Sequence, residues 1–368
     1  MAHRDCAVEE MVKGEAQLRI LITGNMGYVG PVVIRHLRST LGHSAEIVGV
    51  DSGFFGNCVT LPAWEPLPEA AVDHQHFCDV RAFPETLLTG VDAVVHLAAI
   101  SNDPMGKRFE APTSDVNFRS SVSIAHAAAK AGVKTFVFAS SCSVYGLAAD
   151  GNPRCESDPV NPLTAYARSK IDTENALRQA DLGDLKVRCL RFATACGMSP
   201  RVRLDLVLND FVAGALTTDE ITVLSDGTPW RPLIDVADMA KAIAWAIEPA
   251  VYSEPFLSVN VGSDNWNFQV KDIAQAVADI SPGTRVNINA KGQPDPRSYR
   301  VDFSLWRRLA PDHQPTGTLA DSAMRLRKGL LSAGFADKNY RESALIRLKY
   351  LEHLGATGKL DDTLRWAR

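Results

Sequence analysis

The chain is 368 residues long, 46% hydrophobic and 22% charged, with a formal net charge of −4 at neutral pH. That length supports one large or two intermediate domains with a substantial core. The slight acidic excess and the lack of a strongly basic stretch exclude a nucleic-acid footprint, and no apolar run approaches the ~20 residues of a membrane span.

Residues 1–16, within MAHRDCAVEEMVKGEAQ, mix acids with bases and contain no apolar core, so they read as a short extension and not as a signal peptide. The seven cysteines, Cys6, Cys58, Cys78, Cys142, Cys155, Cys189 and Cys196, form no CxxC pair and are odd in number. They read as reduced thiols of a cytoplasmic protein, and no metal site is expected.

Apolar runs at 18–23, 46–51, 93–98, 135–140, 185–192 and 257–261 alternate with amphipathic stretches at 30–41, 118–131 and 166–180. The runs are continuously apolar, which marks strands buried on both faces. Such β–α alternation predicts an α/β fold, a Rossmann-type doubly wound parallel sheet. Pro and Gly gather at 194–203, 226–232 and 292–297, where loops of a smaller mixed α/β part are expected to cover the carboxyl ends of the strands. The expected division is a nucleotide-binding domain over 17–191 and about 233–262, and a substrate-binding domain over 192–232 and 263–368. The latter ends in a mostly helical tail from 318.

The first run leads into ITGNMGYVGPVVIRHL (22–37), a strand, then TGxxGxxG, then a helix. Gly24 permits a tight turn, Gly27 lets backbone approach a pyrophosphate, and Gly30 lets the helix sit close to the sheet. Met26, Tyr28 and Val29 fill the same turn and are expected against the ligand. The helix N-terminus adds N–H donors and a partial positive charge. The second run ends in Asp51, about twenty residues beyond the glycines, where a carboxylate accepts ribose hydroxyls and repels a 2′-phosphate. NAD is therefore expected over NADP; taken alone, Asp51 would only start an Asp-Ser-Gly turn. Asp79 and Val80 follow the next short strand and would bracket the adenine, with Asp79 equally placed to cap a helix.

FASSCSVYG (138–146) and NPLTAYARSK (161–170) carry the chemistry. Tyr166 and Lys170 are spaced i, i+4 and project from one helical face. The phenol, ordinarily near pKa ~10, is expected to ionise more readily beside an ammonium and a positive nicotinamide, making it a base for a sugar hydroxyl. Ser141, at a strand end, would bond the same oxygen. Alone, YxxxK usually marks an exposed helix face; behind a strand-terminal Ser-Ser and a glycine ladder it is specific.

Together TGNMGYVG, Asp51, VVHLAAIS, SDVNF, SSCSVYG, YARSK, RPLIDVADMA and NVGS resemble the extended short-chain dehydrogenases/reductases, in their NAD-dependent nucleotide-sugar epimerase/dehydratase group, across nearly the whole chain. Segments 192–211 and 294–303 resemble a branch that oxidises or reduces nucleotide-linked hexoses and heptoses at C4. The resemblance implies NAD as cofactor and a UDP-, GDP-, dTDP- or CDP-linked sugar as substrate. It gives Tyr166, Lys170 and Ser141 the roles argued above and adds Leu97, Ala98, Ala99 and Asn117 to the cofactor site. It also implies that Arg231 and Arg297 clamp the diphosphate, which suits a planar fork, and that Asn209 contacts the nucleotide sugar. Ser101, Asn102 and Asp103 are candidates for sugar hydroxyls or form a plain Asn-Asp-Pro turn.

Two departures from the group stand out. Its 4,6-dehydratases carry an Asp-Glu pair after the strand-end residue, where this chain has Cys142-Ser143, which argues against eliminating water. Cys142 would act as acid and base for enolisation or simply fill space. Thr194 stands where some relatives place a substrate-touching asparagine. The resulting expectation is an NAD-dependent nucleotide-sugar epimerase working through a transient 4-keto sugar. A C4 dehydrogenase or 4-ketoreductase is the near alternative, and a non-catalytic NAD-binding scaffold the alternative from another class. In relatives the helices matching 118–131 and 166–180 pair across a two-fold axis, so a homodimer is expected, with Ser121, Ala125, Ala128 and Ala129 allowing close approach.

Overall fold

The computed structural model describes residues 18–147, 151–248, 252–292 and 297–367. The N-terminal extension with Cys6, and part of the 292–297 loop, lie outside them. Six apolar runs and one polar run build a parallel sheet: β1 (Leu18–Thr23), β2 (Ala45–Asp51), β3 (His74–Phe77), β4 (Ala93–His96), β5 (Thr135–Ser141) and β6 (Lys186–Phe192). Three short strands, β7 (Thr194–Cys196), β8 (Glu220–Val223) and β9 (Trp230–Asp235), then leave the sheet before β10 (Phe256–Val261) returns to it. The spatial order is β10-β6-β5-β4-β1-β2-β3, and every neighbouring pair is parallel. Ile20, Leu21 and Ile22 of β1 are fully buried, as continuous apolarity requires. The polar HQHF of β3 is partly exposed and takes the edge.

Three helices precede the fourth on the way to β5: α1 (Gly30–Leu41), α2 (Asp103–Arg108), α3 (Glu110–Ser114) and α4 (Ser120–Lys130). α4 is entered through a π turn, Asp115–Arg119, so the predicted helix over 118–131 starts irregularly. α5 (Ala165–Gln179), α6 (Val207–Thr218) and α7 (Val236–Ala246) follow. Beyond β10 come β11 (Asn267–Gln269), α8 (Val270–Asp279), β12 (Arg285–Ile288), α9 (Ser304–Leu309), α10 (Leu319–Ser332) and α11 (Arg347–Ala356). β11, β9 and β7 form a three-stranded sheet, and β12 pairs with β8.

The sheet separates two cores. One joins α1, α7 and the smaller strands through Val33, Ile34, Ile243 and Val223. The other gathers Ile124, Ala125 and Ala128 of α4 with Leu351 and Leu354 of α11. Each fully buried leucine of this kind stabilises by about 1.5–3 kcal/mol. Within the tail, α10 packs in the first core through Ala323, Leu326 and Leu330, whereas α11 and the residues after it pack in the second, on the nucleotide-binding side, and 357–367 are not helical. Ser121, Ala125 and Ala128 are also spent inside the chain and are not presented to a partner. No described helix is long and apolar enough to cross a membrane. The six described cysteines are free.

Candidate active site

The strand order reverses between β1 and β4, and ligands of open α/β sheets bind beyond the carboxyl ends at such a switch point. Gly24 sits there with φ 71°, and a Cβ on it would lie 2.5 Å from the Ala98 amide nitrogen. Only glycine lets the β1 turn run against the end of β4. At Gly30 a Cβ would lie 2.3 Å from the Asn25 carbonyl oxygen, so this glycine admits the turn itself rather than the sheet. α1 starts with Pro31 in its first turn, and no side chain caps it at Val29. The Val32 and Val33 amides turn back to the Val29 carbonyl, and the positive end of the helix, free of any side-chain cap, suits a pyrophosphate.

A cavity of about 890 Å³ opens over this turn and runs across the carboxyl ends of the strands. Gly24, Gly27, Tyr28 and Val29 line it, as do Leu97, Ala98 and Ala99. Met26 and Gly30 do not: the Met26 amide instead donates to Asp51 at 3.0 Å, and Gly30 is closed off by Asn25. Asp51 is on the wall and also accepts the Gly53 amide at 2.7 Å. Burial raises its carboxyl above the usual range, against the pull of these two amides. Asp79 and Val80 reach the wall as well. The Asp79 carboxylate caps the next turn and holds the Arg81 guanidinium at 2.6 Å; although burial opposes it, Arg81 keeps the carboxyl below its usual range.

Ser141, Tyr166 and Lys170 meet on the cavity floor. Thr164 caps α5 by accepting the Ala167 amide, which fixes the first turn that carries Tyr166. Gly106 of α2 lets that helix press against it, since a Cβ there would sit 3.1 Å from the Tyr166 nitrogen. Lys170 donates to the Ala139 carbonyl at 2.7 Å and lies 4.7 Å from the Phe138 ring centroid and 5.5 Å from that of Tyr166. Burial brings its ammonium down to about 7, with Cys189 and Glu174 opposing. Burial and the Asp103 carboxylate push Tyr166 up to about 12, while Arg203 and a hydrogen bond with Ser141 pull the other way. At rest Tyr166 is thus a neutral phenol, which must ionise before it can act as a base. Arg203 is a second cation acting on the phenol, beside the lysine one turn on.

The cavity also has polar lining. Arg231, Arg297, Thr194 and Ser143 line it, with Ser101, Asn102 and Asp103. Asp103 pairs with Arg297 and accepts from Thr164 at 2.6 Å. Asn102, at φ 88°, caps α2 and donates to Asp205 at 2.6 Å. Such a backbone is rare for a residue with a side chain and concentrates at functional sites. Arg203 binds Asp205 through two nitrogens and donates to Ser101 at 2.6 Å. The Ser143 hydroxyl is buried with no partner.

Three expected site residues face away. Cys142 is fully buried, points its thiol at the Arg191 carbonyl and is raised well above its usual pKa by burial. It is core filling, not an acid or base. Asn117 lies in the π turn and spends its amide on both backbone groups of Ile100, so it pins the loop after β4 and is not on the cavity wall. Asn209 accepts from Gly197 and donates to the Tyr28 hydroxyl and the Arg203 carbonyl; it too is off the wall. Conversely, Arg203, Asp205 and the C-terminal Arg347, Leu348 and Leu351 line the cavity without having been singled out. Among the described residues no cluster of His, Cys, Asp or Glu could hold a metal ion.

The model of the NAD dependent epimerase/dehydratase family matches residues 20–262. An uncharacterized UDP-glucose epimerase of Bacillus subtilis is 27% identical over 321 residues, 83% of this chain and 95% of that protein. The solved structure of TunA, an NAD-dependent NDP-hexosamine 5,6-dehydratase of tunicamycin biosynthesis, is 27% identical, with a TM-score of 0.70 over 86% of this chain and 98% of its own. MoeE5, solved with UDP-glucose and NAD, is 24% identical, with a TM-score of 0.68 over 84% and 98%.

Proposed function

Since the chain belongs to the NAD-dependent epimerase/dehydratase family of extended short-chain dehydrogenases/reductases, we propose that it is a nucleotide-sugar epimerase working through a transient 4-keto sugar, with Tyr166 as base. Its cofactor is NAD, which the uncapped α1 terminus, Gly24, Gly27, Asp51 and the Leu97–Ala99 segment would hold. When bound, NAD supplies a hydride acceptor that can also give the hydride back. Tyr166 takes the proton of the C4 hydroxyl as that carbon becomes a ketone, with Ser141 and Arg203 supporting the phenolate. Arg231 and Arg297 suit the diphosphate, and the unpartnered Ser143 hydroxyl suits a sugar oxygen. The ketone turns its other face, is reduced there, and recovers the proton from Tyr166.

The observation that carries this reading is the meeting of Ser141, Tyr166 and Lys170 on one cavity wall whose next strand-end residue, Cys142, is a buried thiol and not an acid. The relatives act on or bind UDP-sugars, so UDP-hexoses come first in the test. Incubation with UDP-glucose, UDP-glucuronate and their GDP-, dTDP- and CDP-linked counterparts, followed by NMR and mass analysis, should yield an epimer of unchanged mass. Loss of two hydrogens would make the protein a C4 dehydrogenase, and loss of water a dehydratase.

A homodimer formed through α4 and α5 belongs to the same reading. With Ser121, Ala125 and Ala128 of α4 buried and Ala129 partly so, the partner would meet exposed Ser123, His126, Arg168 and Asp172. Sedimentation should give roughly twice the 40.0 kDa chain mass. A fully active monomer would remove this part of the proposal.

A further inference from the structure

We propose that the C-terminal segment 346–367 is a wall of the dinucleotide site, closing its adenosine end and retaining NAD between turnovers. Two loops follow the strands on that side of the switch point. Ser52, Phe54 and Phe55 follow Asp51, and Arg81 follows Asp79 and Val80. All of them line the cavity, and Ile346, Arg347, Leu348 and Leu351 line it from across the gap.

The segment is fastened to both loops. Trp366 donates its indole N–H to the Ser52 carbonyl at 2.6 Å and packs edge-on against Phe54, ring centroids 5.5 Å apart. Arg81 donates to the Thr363 and Leu364 carbonyls at 2.6 and 2.8 Å. Arg347 sits 4.6 Å from the Phe55 ring centroid and donates to the Arg201 carbonyl at 2.9 Å. Leu351, Leu354, Leu360 and Leu364 are buried in the core that also holds Val80 and Met105. Leu364 is held at φ 56°, a conformation that costs a branched side chain energy and persists only where surrounding contacts over-determine it.

A ligand seated between Asp51 and Val80 therefore has leucine and aromatic surface over it, and the pinned segment obstructs its release on that side. The contacts that such a wall adds slow dissociation. Retention also suits the epimerase proposed above, because the reducing equivalent taken from the sugar returns to the same molecule.

The test uses the full chain loaded with NAD and no sugar nucleotide, and follows NAD release after rapid dilution. Trp366→Ala, which cuts one fastening and leaves the Arg81–Asp79 pair intact, should release NAD about tenfold faster or more, with thermal unfolding of the NAD-free protein unchanged. Trp366→Phe keeps most of the packing and removes only the donated N–H, so it remains readable if the alanine variant fails to fold; it should release NAD faster than wild type by a smaller factor. Wild-type release rates in the folded variants would overturn the proposal and leave the segment a packing element. Because no sugar is present, this outcome is independent of whether an epimer is formed.

Discussion

Thr164 donates its hydroxyl to Asp103 at 2.6 Å while accepting the Ala167 amide at 3.1 Å. The cap of the helix that carries Tyr166 is thus also the anchor of the acidic loop. The other Asp103 oxygen pairs with Arg297. One carboxylate joins the base to the arm proposed to hold the diphosphate.

Asp103 and Arg203 should therefore move the pH profile in opposite directions. Asp103 raises the Tyr166 pKa and Arg203 lowers it. The base is the ionised phenol, so kcat should climb as pH rises through that pKa. Asp103→Asn, which keeps an acceptor for Thr164, should shift the climb to lower pH, and Arg203→Gln should shift it to higher pH. Shifts of the same sign in both variants would show that Tyr166 is not the titrating group.

Tyr166→Phe removes the proton acceptor and leaves the ring in place. NAD binding should persist while turnover falls by ~10²–10⁴-fold, the usual worth of a positioned general base. A variant within a few-fold of wild type would take Tyr166 out of the mechanism.

Asp51→Ala should weaken NAD and relax discrimination against NADP, because the carboxylate that meets the ribose is lost. Its two amide partners, on Met26 and Gly53, would lose their acceptor as well, so the turn should loosen. Titrating both cofactors into the variant checks this; an unchanged preference would place discrimination elsewhere.

His96 is buried in β4 between the hydroxyls of Thr23 and Ser121. Burial, helped by Lys170, lowers its pKa from the ordinary 6.5 to about 3. The unfolded chain therefore takes up a proton that the folded chain refuses. The stability this gives is full above pH 6.5 and is lost progressively as pH falls toward 3. At pH 5 the loss should be about 2 kcal/mol. Proton NMR of the ring gives the check: a His96 signal titrating near its ordinary value would refute the burial argument.

The parts of the site readable in sequence were those fixed by short-range sterics. The β1 turn needs Gly24 whatever surrounds it, and i, i+4 spacing puts Tyr166 and Lys170 on one face. Direction was harder. The chain leaves β5 at Ser141 and enters a 3-10 turn, Cys142–Tyr145, so Ser141 and Ser143 reach the cavity while Cys142 between them enters the core. Asn117 is turned inward one residue past Val116, which does line the cavity. Arg203, Asp205 and Leu351 join the site from segments remote along the chain, and no local pattern marks such an approach.

The burial of Leu351, Leu354 and Leu364 against Val80 and Met105 also bears on the order of assembly. These leucines emerge during synthesis well after β10 has completed the sheet, so the nascent nucleotide-binding face stays open and apolar until they arrive. In that interval the face is exposed to aggregation, and the dinucleotide has free access to it. Adding NAD during expression or refolding covers the same surface before the tail does, and should raise the yield of soluble protein.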